Sequence, residues 1–291
     1  MQTHGTQNIG LHIKLMTEEM KKALISGGTS GVGLSIAKNL IASNYKVVLI
    51  GSNGPKGKLI EASFNEKYPK QVEFVQLDLS NLRDTKEFTT DFISKNVKLD
   101  LLVNTAGIFS PNRIVTNEGF EKTFAVGYLS AYLLSTQLAG ILEKSEYGRI
   151  ANVSGSKSLI IKKKLDFDDL TFSKNYSMIN TAIATIHAKT VLTEILAEKY
   201  VNQGIDVNSF HPGVVKSDLA KNLEWWKRML FSIPELFFGK ESTNGIFVSS
   251  SPTLNKVTGK YFIKKEPIEL NFEKGYKQKL QEQTEQLLAK I

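Results

Sequence analysis

Six short aliphatic runs recur along the chain, at 22–26, 46–50, 72–77, 100–104, 149–154 and 206–210. They are rich in Val, Ile and Leu and carry no polar alternation. Such runs read as strands covered on both faces, the state of strands in a parallel sheet. Between them lie longer stretches with apolar positions at helical spacing, at 32–43, 56–67, 82–95, 118–144 and 179–202. Strand alternating with helix predicts an α/β protein: a Rossmann-type, doubly wound parallel sheet with helices on both faces. The run 259–263 adds an edge strand, for about seven strands in all, and 272–291 reads as a polar amphipathic helix. No repeat or low-complexity linker interrupts the pattern, so 16–291 is expected to be one domain. Residues 1–15 read as an extension, because Met16 stands directly before Thr-Glu-Glu-Met-Lys-Lys and the first strand.

Composition narrows the picture. A chain of 291 residues with 41% hydrophobic and 23% charged positions buries a sizeable core without staples. It has no cysteine, which excludes disulfides and thiolate metal sites. No metal site is expected. The net charge of +8 comes from scattered lysines, with small clusters at Lys162-Lys163-Lys164 and Lys264-Lys265. With no nucleic-acid motif beside them, these read as solvated surface, not a nucleic-acid partner site. No apolar run reaches the roughly 18 residues of a transmembrane segment, and no leader pattern opens the chain, so a cytoplasmic location is expected.

Candidate chemistry begins where the first strand ends. Ala23-Leu-Ile-Ser26 runs into Gly27-Gly28-Thr29-Ser30-Gly31-Val32-Gly33 and then a helix. A glycine turn between a strand's carboxyl end and a helix N-terminus is where backbone N–H groups hold a pyrophosphate. Gly27 serves the tight turn, Gly31 lets the backbone approach the ligand, and Gly33 lets helix and strand pack closely. The spacing Ser26-Gly-x-x-x-Gly31-x-Gly33 resembles the signature of the short-chain dehydrogenase/reductase superfamily, with Ser in place of the usual Thr. Further blocks are similar in the same order: Asp78-Leu79, Asn104-Thr-Ala106-Gly107, Arg149-Ile-Ala-Asn-Val-Ser154 and His211-Pro212-Gly213-Val-Val-Lys-Ser217. Leu165-Asp-Phe-Asp-Asp-Leu170 and Gly259-Lys-Tyr-Phe262 resemble the retinol-dehydrogenase-like branch most closely.

The resemblance implies a dinucleotide cofactor, NAD or NADP. Gly27, Ser30, Gly31, Val32 and Gly33 would hold the pyrophosphate, Ser52 would lie at the adenine ribose, and Asp78 and Leu79 would meet the adenine. Asn104, Ala106 and Gly107 would also belong to the cofactor site, and Pro212, Gly213 and Ser217 to the loop over the nicotinamide. The second strand ends Gly51-Ser52-Asn53, with no acid to repel a 2′-phosphate and Lys56 nearby, which leans toward NADP.

The family's catalytic tetrad is another matter. Counting from Pro212-Gly213 and from Leu165–Leu170, the Tyr position falls on Ala182 and the Lys position on Ile186. The Asn and Ser positions fall on Gly127 and Gly155. All four polar groups would be lost, leaving a wider, more apolar cleft. Tyr176 precedes the helix, and Tyr261 lies in a strand, four residues ahead of Lys265. Ser154 and Ser156 flank Gly155, and strand alternation points both away from the side Gly155 faces unless a bulge re-aims one. Lys189, one turn beyond Ile186, either leans toward the site or, as the commoner case, sits on the surface. His187 reads as packed or solvated, and His211 as structural.

A segment at about 217–240 falls where the family places its substrate lid. Its Trp225 and Trp226 would grip an apolar substrate, pack locally or meet a second subunit, a homodimer being one option. Three functions remain open. The first is an atypical enzyme acting on an apolar small molecule by a non-redox route, of cyclase, dehydratase or isomerase type. The second is an NAD(P)H-dependent oxidoreductase with an unconventional proton donor. The third is a non-catalytic dinucleotide-binding or regulatory protein.

Overall fold

The computed structural model describes residues 20–213 and 241–291. The expected extension at 1–15, the lid with Trp225 and Trp226, and Ser217 lie outside these residues.

Eight strands form one sheet in the order β3-β2-β1-β4-β5-β6-β7-β8. They are β1 Lys22–Ser26, β2 Lys46–Gly51, β3 Val72–Gln76, β4 Leu101–Asn104, β5 Gly148–Val153, β6 Ile205–Phe210, β7 Tyr261–Ile263 and β8 Glu266–Ile268. All neighbours are parallel except β7 and β8. The count is one more than the sequence predicts. β8 is a three-residue return strand reached through Lys264 and Lys265, both at positive φ. Glu-Pro-Ile has no strand pattern to read, and its proline is tolerated because β8 is an edge.

Period-two alternation divides the buried strand residues between two helical layers. Leu24, Val48, Ile50, Leu102 and Ile150 join one core, which Leu196 and Leu280 complete. Ala23, Ile25, Val47, Leu49 and Val103 join the other, against Ile36, Leu40 and Val248. Both faces are therefore dry, as a parallel sheet requires.

The α-helices of six residues or more among the described residues are α1 Gly31–Ala42, α2 Gly54–Lys67, α3 Leu82–Lys95, α4 Ser130–Gln137, α5 Lys157–Lys162, α6 Met178–Tyr200, α7 Thr243–Ser250 and α8 Lys274–Leu288. Local chemistry sets their starts. Asn53 Oδ1 accepts the Lys56 N–H at 3.0 Å, and Asn81 Oδ1 accepts that of Asp84 at 3.2 Å. The continuous helix expected over 118–144 is broken instead. Glu118 lies in a loop and caps α3 by accepting the Leu82 N–H, and Ala125–Leu129 is a π-helical turn before α4. Such wide turns cannot be told from α-helix by hydrophobic spacing. No helix among the described residues is long and apolar enough to cross a membrane.

Candidate active-site cleft

The order of strand addition reverses between the parallel neighbours β1 and β4: β2 and β3 extend the sheet on one side, and β4 to β8 on the other. Loops leaving β1 and β4 part there, and a cleft opens at the carboxyl ends, as doubly wound sheets dictate. Its volume is about 820 Å³, within the range of small-molecule sites.

One end is built from backbone. Gly27 has φ of +70°, and a Cβ there would come within 2.9 Å of the Ala106 backbone. A Cβ on Gly33 would sit 2.4 Å from the Gly27 carbonyl oxygen. Only glycine permits both the turn and the close seat of α1. Ser30 stands at the N-cap of α1 with no side-chain capping bond, so the first-turn N–H groups are left for an anion. Ser30, Gly31, Val32 and Gly33 all line the cleft.

The next stretch carries Ser52, Asn53, Lys56, Asp78 and Leu79. Burial alone would raise the Asp78 pKa. The Ser80 N–H, donated at 2.9 Å, and the Lys122 ammonium at 3.7 Å outweigh it and hold the carboxyl below its ordinary range. A carboxylate therefore stands where an amine or amide donor could meet it.

The far end is mostly aliphatic. Ala106, Gly107, Val126, Gly127, Ala182 and Ile186 line it, with Pro212 at its rim. Gly155 abuts the same wall, since a Cβ there would lie 3.1 Å from Ile186 Cγ2. Gly127, in the π-turn, would bring a Cβ 2.4 Å from Thr185 Cγ2. Of the four positions expected for the tetrad, Gly127, Ala182 and Ile186 line the cleft and Gly155 stands beside Ile186.

Two predicted cleft residues stand elsewhere. The Asn104 side chain lies behind the wall, donating to Ser135 Oγ at 3.0 Å and Asn152 Oδ1 at 2.9 Å. Gly213 is exposed, and its N–H donates to His211 Nδ1 at 3.0 Å. Pro212 alone of that pair faces the cleft.

Two expectations are corrected. Ser154 does line the cleft, its hydroxyl 2.5 Å from that of Thr190. Ser154 still donates its N–H to the Phe210 carbonyl of β6 at 2.8 Å, but it lies one residue past the end of β5, where Val153 and Ser154 both line the cleft. Ser156 stays outside, beside Ser158. Lys189 is not on the surface: it is 2% exposed and lines the cleft, Nζ donating to the Ala106 carbonyl at 3.4 Å. Three residues after Ile186 on α6, it returns to nearly the same face. Burial draws its pKa down to about 7.

The remaining candidates serve structure. Tyr176 precedes α6 and donates to the Ser110 carbonyl at 2.5 Å. Tyr261 lies in β7 and donates to the Gly155 carbonyl at 2.8 Å, its pKa pushed up to about 12 by burial. His187 packs away from the cleft, Nδ1 against the Ile160 carbonyl and Nε2 against the Tyr276 hydroxyl, each at 2.8 Å. Sequence reasoning passed over Thr29, Ser110, Lys122 and Thr185, which also line the cleft. Thr29 lies within the glycine turn and Thr185 on α6 beside Ile186, so their neighbours mark the place, whereas Ser110 and Lys122 enter from the stretch after β4, which carries no motif at those positions.

Comparison with known proteins gives a consistent set. The family profile described as short chain dehydrogenase matches residues 21–165. Human polyprenol dehydrogenase is 30% identical over 277 residues, covering 90% of this chain and 82% of its own. Human retinol dehydrogenase 14 is 28% identical over 262 residues, covering 83% of this chain and 77% of its own. Among solved structures, the Pseudomonas aeruginosa RhlG/NADP active-site complex superposes with a TM-score of 0.63 at 19% identity, over 83% of this chain and 93% of that one.

Proposed function

Because the chain belongs to the short-chain dehydrogenase/reductase family, we propose that it is a dinucleotide-dependent oxidoreductase acting on an apolar alcohol or carbonyl compound. The observation that carries this reading is the cleft's division of labour. A glycine turn and an uncapped helix N-terminus stand at one end and an aliphatic wall at the other, within one 820 Å³ space. The two curated relatives are named dehydrogenases of polyprenol and retinol, both apolar alcohols.

The residues fit NADP better than NAD. First-turn N–H groups of α1 would take the pyrophosphate, ionised Asp78 would accept from the adenine amine, and Lys56 would face the 2′-phosphate. No acid lines the cleft at the end of β2. A bound nicotinamide would supply or accept the hydride. The protein's own part is to exclude water with Val126, Ala182 and Ile186, and to move a proton without the Tyr/Lys pair. Titration with NADPH and NADH, followed by cofactor fluorescence, tests the reading. NADPH should bind at least tenfold more tightly, and Lys56→Ala should remove most of that difference. Absence of binding by either up to millimolar concentration would overturn the proposal.

The alternative is a non-redox rearrangement, supported by one observation: Gly127, Ala182 and Ile186 line the cleft without a polar side chain, with Gly155 beside Ile186. Tight NADPH binding with no oxidation across a panel of apolar carbonyls would select it.

A further inference from the structure

Lys189 is the one lysine among the described residues that lines the cleft while almost wholly withdrawn from water, at 2% exposed. Its Nζ reaches the Ala106 carbonyl at 3.4 Å, the long limit of a hydrogen bond. No carboxylate among the described residues shifts its titration; the buried Glu121, beside the turn packed against α6, instead accepts the Phe124 N–H at 2.8 Å. On α6 itself, Glu194 is engaged by Lys277, and His187 by Ile160 and Tyr276. Across the cleft, Asp78 is held by Ser80 and Lys122, and the other charged lining groups, Lys56 and Lys122, are cations. From β5, Ser154 offers only a hydroxyl already bonded to Thr190. An ammonium so placed has lost its water and gained no counter-charge, which favours the neutral amine. A desolvated lysine beside an apolar chamber is the setting in which amines act as nucleophiles toward carbonyls.

We infer that Lys189 is a nucleophilic amine that captures small apolar aldehydes in this cleft as an imine. The Nζ lone pair forms a C–N bond to the carbonyl carbon as the carbonyl π pair moves onto oxygen. A proton passes from nitrogen to that oxygen, giving a carbinolamine. Loss of the oxygen as water leaves the C=N bond. No oxidant or reductant is consumed, and hydrolysis reverses the step. Protonation of the imine acidifies the adjacent C–H, which is what a non-redox rearrangement of a carbonyl compound needs. The inference does not depend on hydride transfer.

The test uses the full chain, octanal and cyanoborohydride, which reduces an imine to a stable secondary amine. Peptide mass mapping then locates the alkylated lysines. At pH 7 about half of Lys189 is neutral, from a folded pKa of about 7, against about one surface lysine in 3,000. Modification at Lys189 should exceed that at every other lysine by at least tenfold. Its rate should be half-maximal near pH 7, while surface lysines gain only above pH 9. Selectivity should vanish in urea, and Lys189→Met should leave the surface background alone. Labelling in proportion to exposure, or an unmodified Lys189 in folded protein, would overturn the inference. Suppression of Lys189 labelling by NADPH places amine and dinucleotide in one space. Selective labelling that NADPH leaves untouched upholds aldehyde capture and counts against the dinucleotide reading.

Discussion

Replacing Lys189 by methionine should make the protein more stable, and the size of the gain follows from the amine's surroundings. Methionine keeps the unbranched shape and drops the charge. In the folded chain the amine sits at about 7, against 10.5 in water. Each unit between the two states is worth about 1.36 kcal/mol. At pH 7 every unfolded chain holds this proton and only half of the folded chains do, so proton linkage favours unfolding by about 4 kcal/mol. The folded pKa is the lower one. Between pH 7 and 10.5 the unfolded chain therefore binds more protons, and this lysine's contribution to stability rises with pH through that window. At about 2.1 cal/mol/K of unfolding entropy per residue, 4 kcal/mol corresponds to roughly 7 °C for a chain of this length. The assay is thermal or urea unfolding of both proteins at pH 7 and pH 9.5. The methionine variant should melt several degrees higher at pH 7, and the gap should narrow at pH 9.5. A surface Lys→Met change would stay within about 0.5 kcal/mol. A variant that melts at or below the wild type, with no pH-dependent gap, would refute the claim that this amine is buried without a counter-charge.

Further outcomes follow from the same geometry. Gly27→Ala puts a Cβ at positive φ and within 2.9 Å of the Ala106 backbone. It should cost about 1–3 kcal/mol in urea unfolding and weaken NADPH binding more than tenfold. The double substitution Ala182→Tyr with Ile186→Lys should create measurable reduction of apolar aldehydes by NADPH. A folded, NADPH-binding but inert double variant would count against the tetrad register. Burial holds the pKa of His187 below its usual 6.5. The unfolded chain then takes up a proton the folded one refuses, and stability should fall as pH drops through 6.5. Unfolding of wild type and His187→Gln at pH 7 and 5.5 checks this, the wild type losing more.

The fold was largely legible because both-faces burial leaves an unbroken aliphatic signature. All six principal strands lie within a residue or so of their predicted bounds, and α3 matches at both ends. The glycine turn was legible for the same kind of reason: Gly27 and Gly33 are forced by backbone contacts at a fixed place in the strand-to-helix passage. β8 was not, since its pairing depends on the turn at Lys264-Lys265, not on a pattern of its own. For Lys189 the sequence leaves both a cleft and a surface position open and favours the surface, where a helical lysine normally lies. Its amine meets the Ala106 carbonyl, 83 positions away, a contact that no window along the chain contains. Asn104 shows the converse. Its motif is local, but its side chain answers to Ser135 and Asn152 on other elements.

The aromatic cluster around His187 has a consequence for handling the chain. The Tyr276 hydroxyl on α8 accepts the Leu165 N–H and meets the His187 ring, while Phe167 and Phe272 press edge-on against Tyr276 and His187. Deleting α8 would therefore strip the packing behind the helix that bears Ile186 and Lys189. A trimming of α8 meant to be harmless would be felt in the reaction chamber.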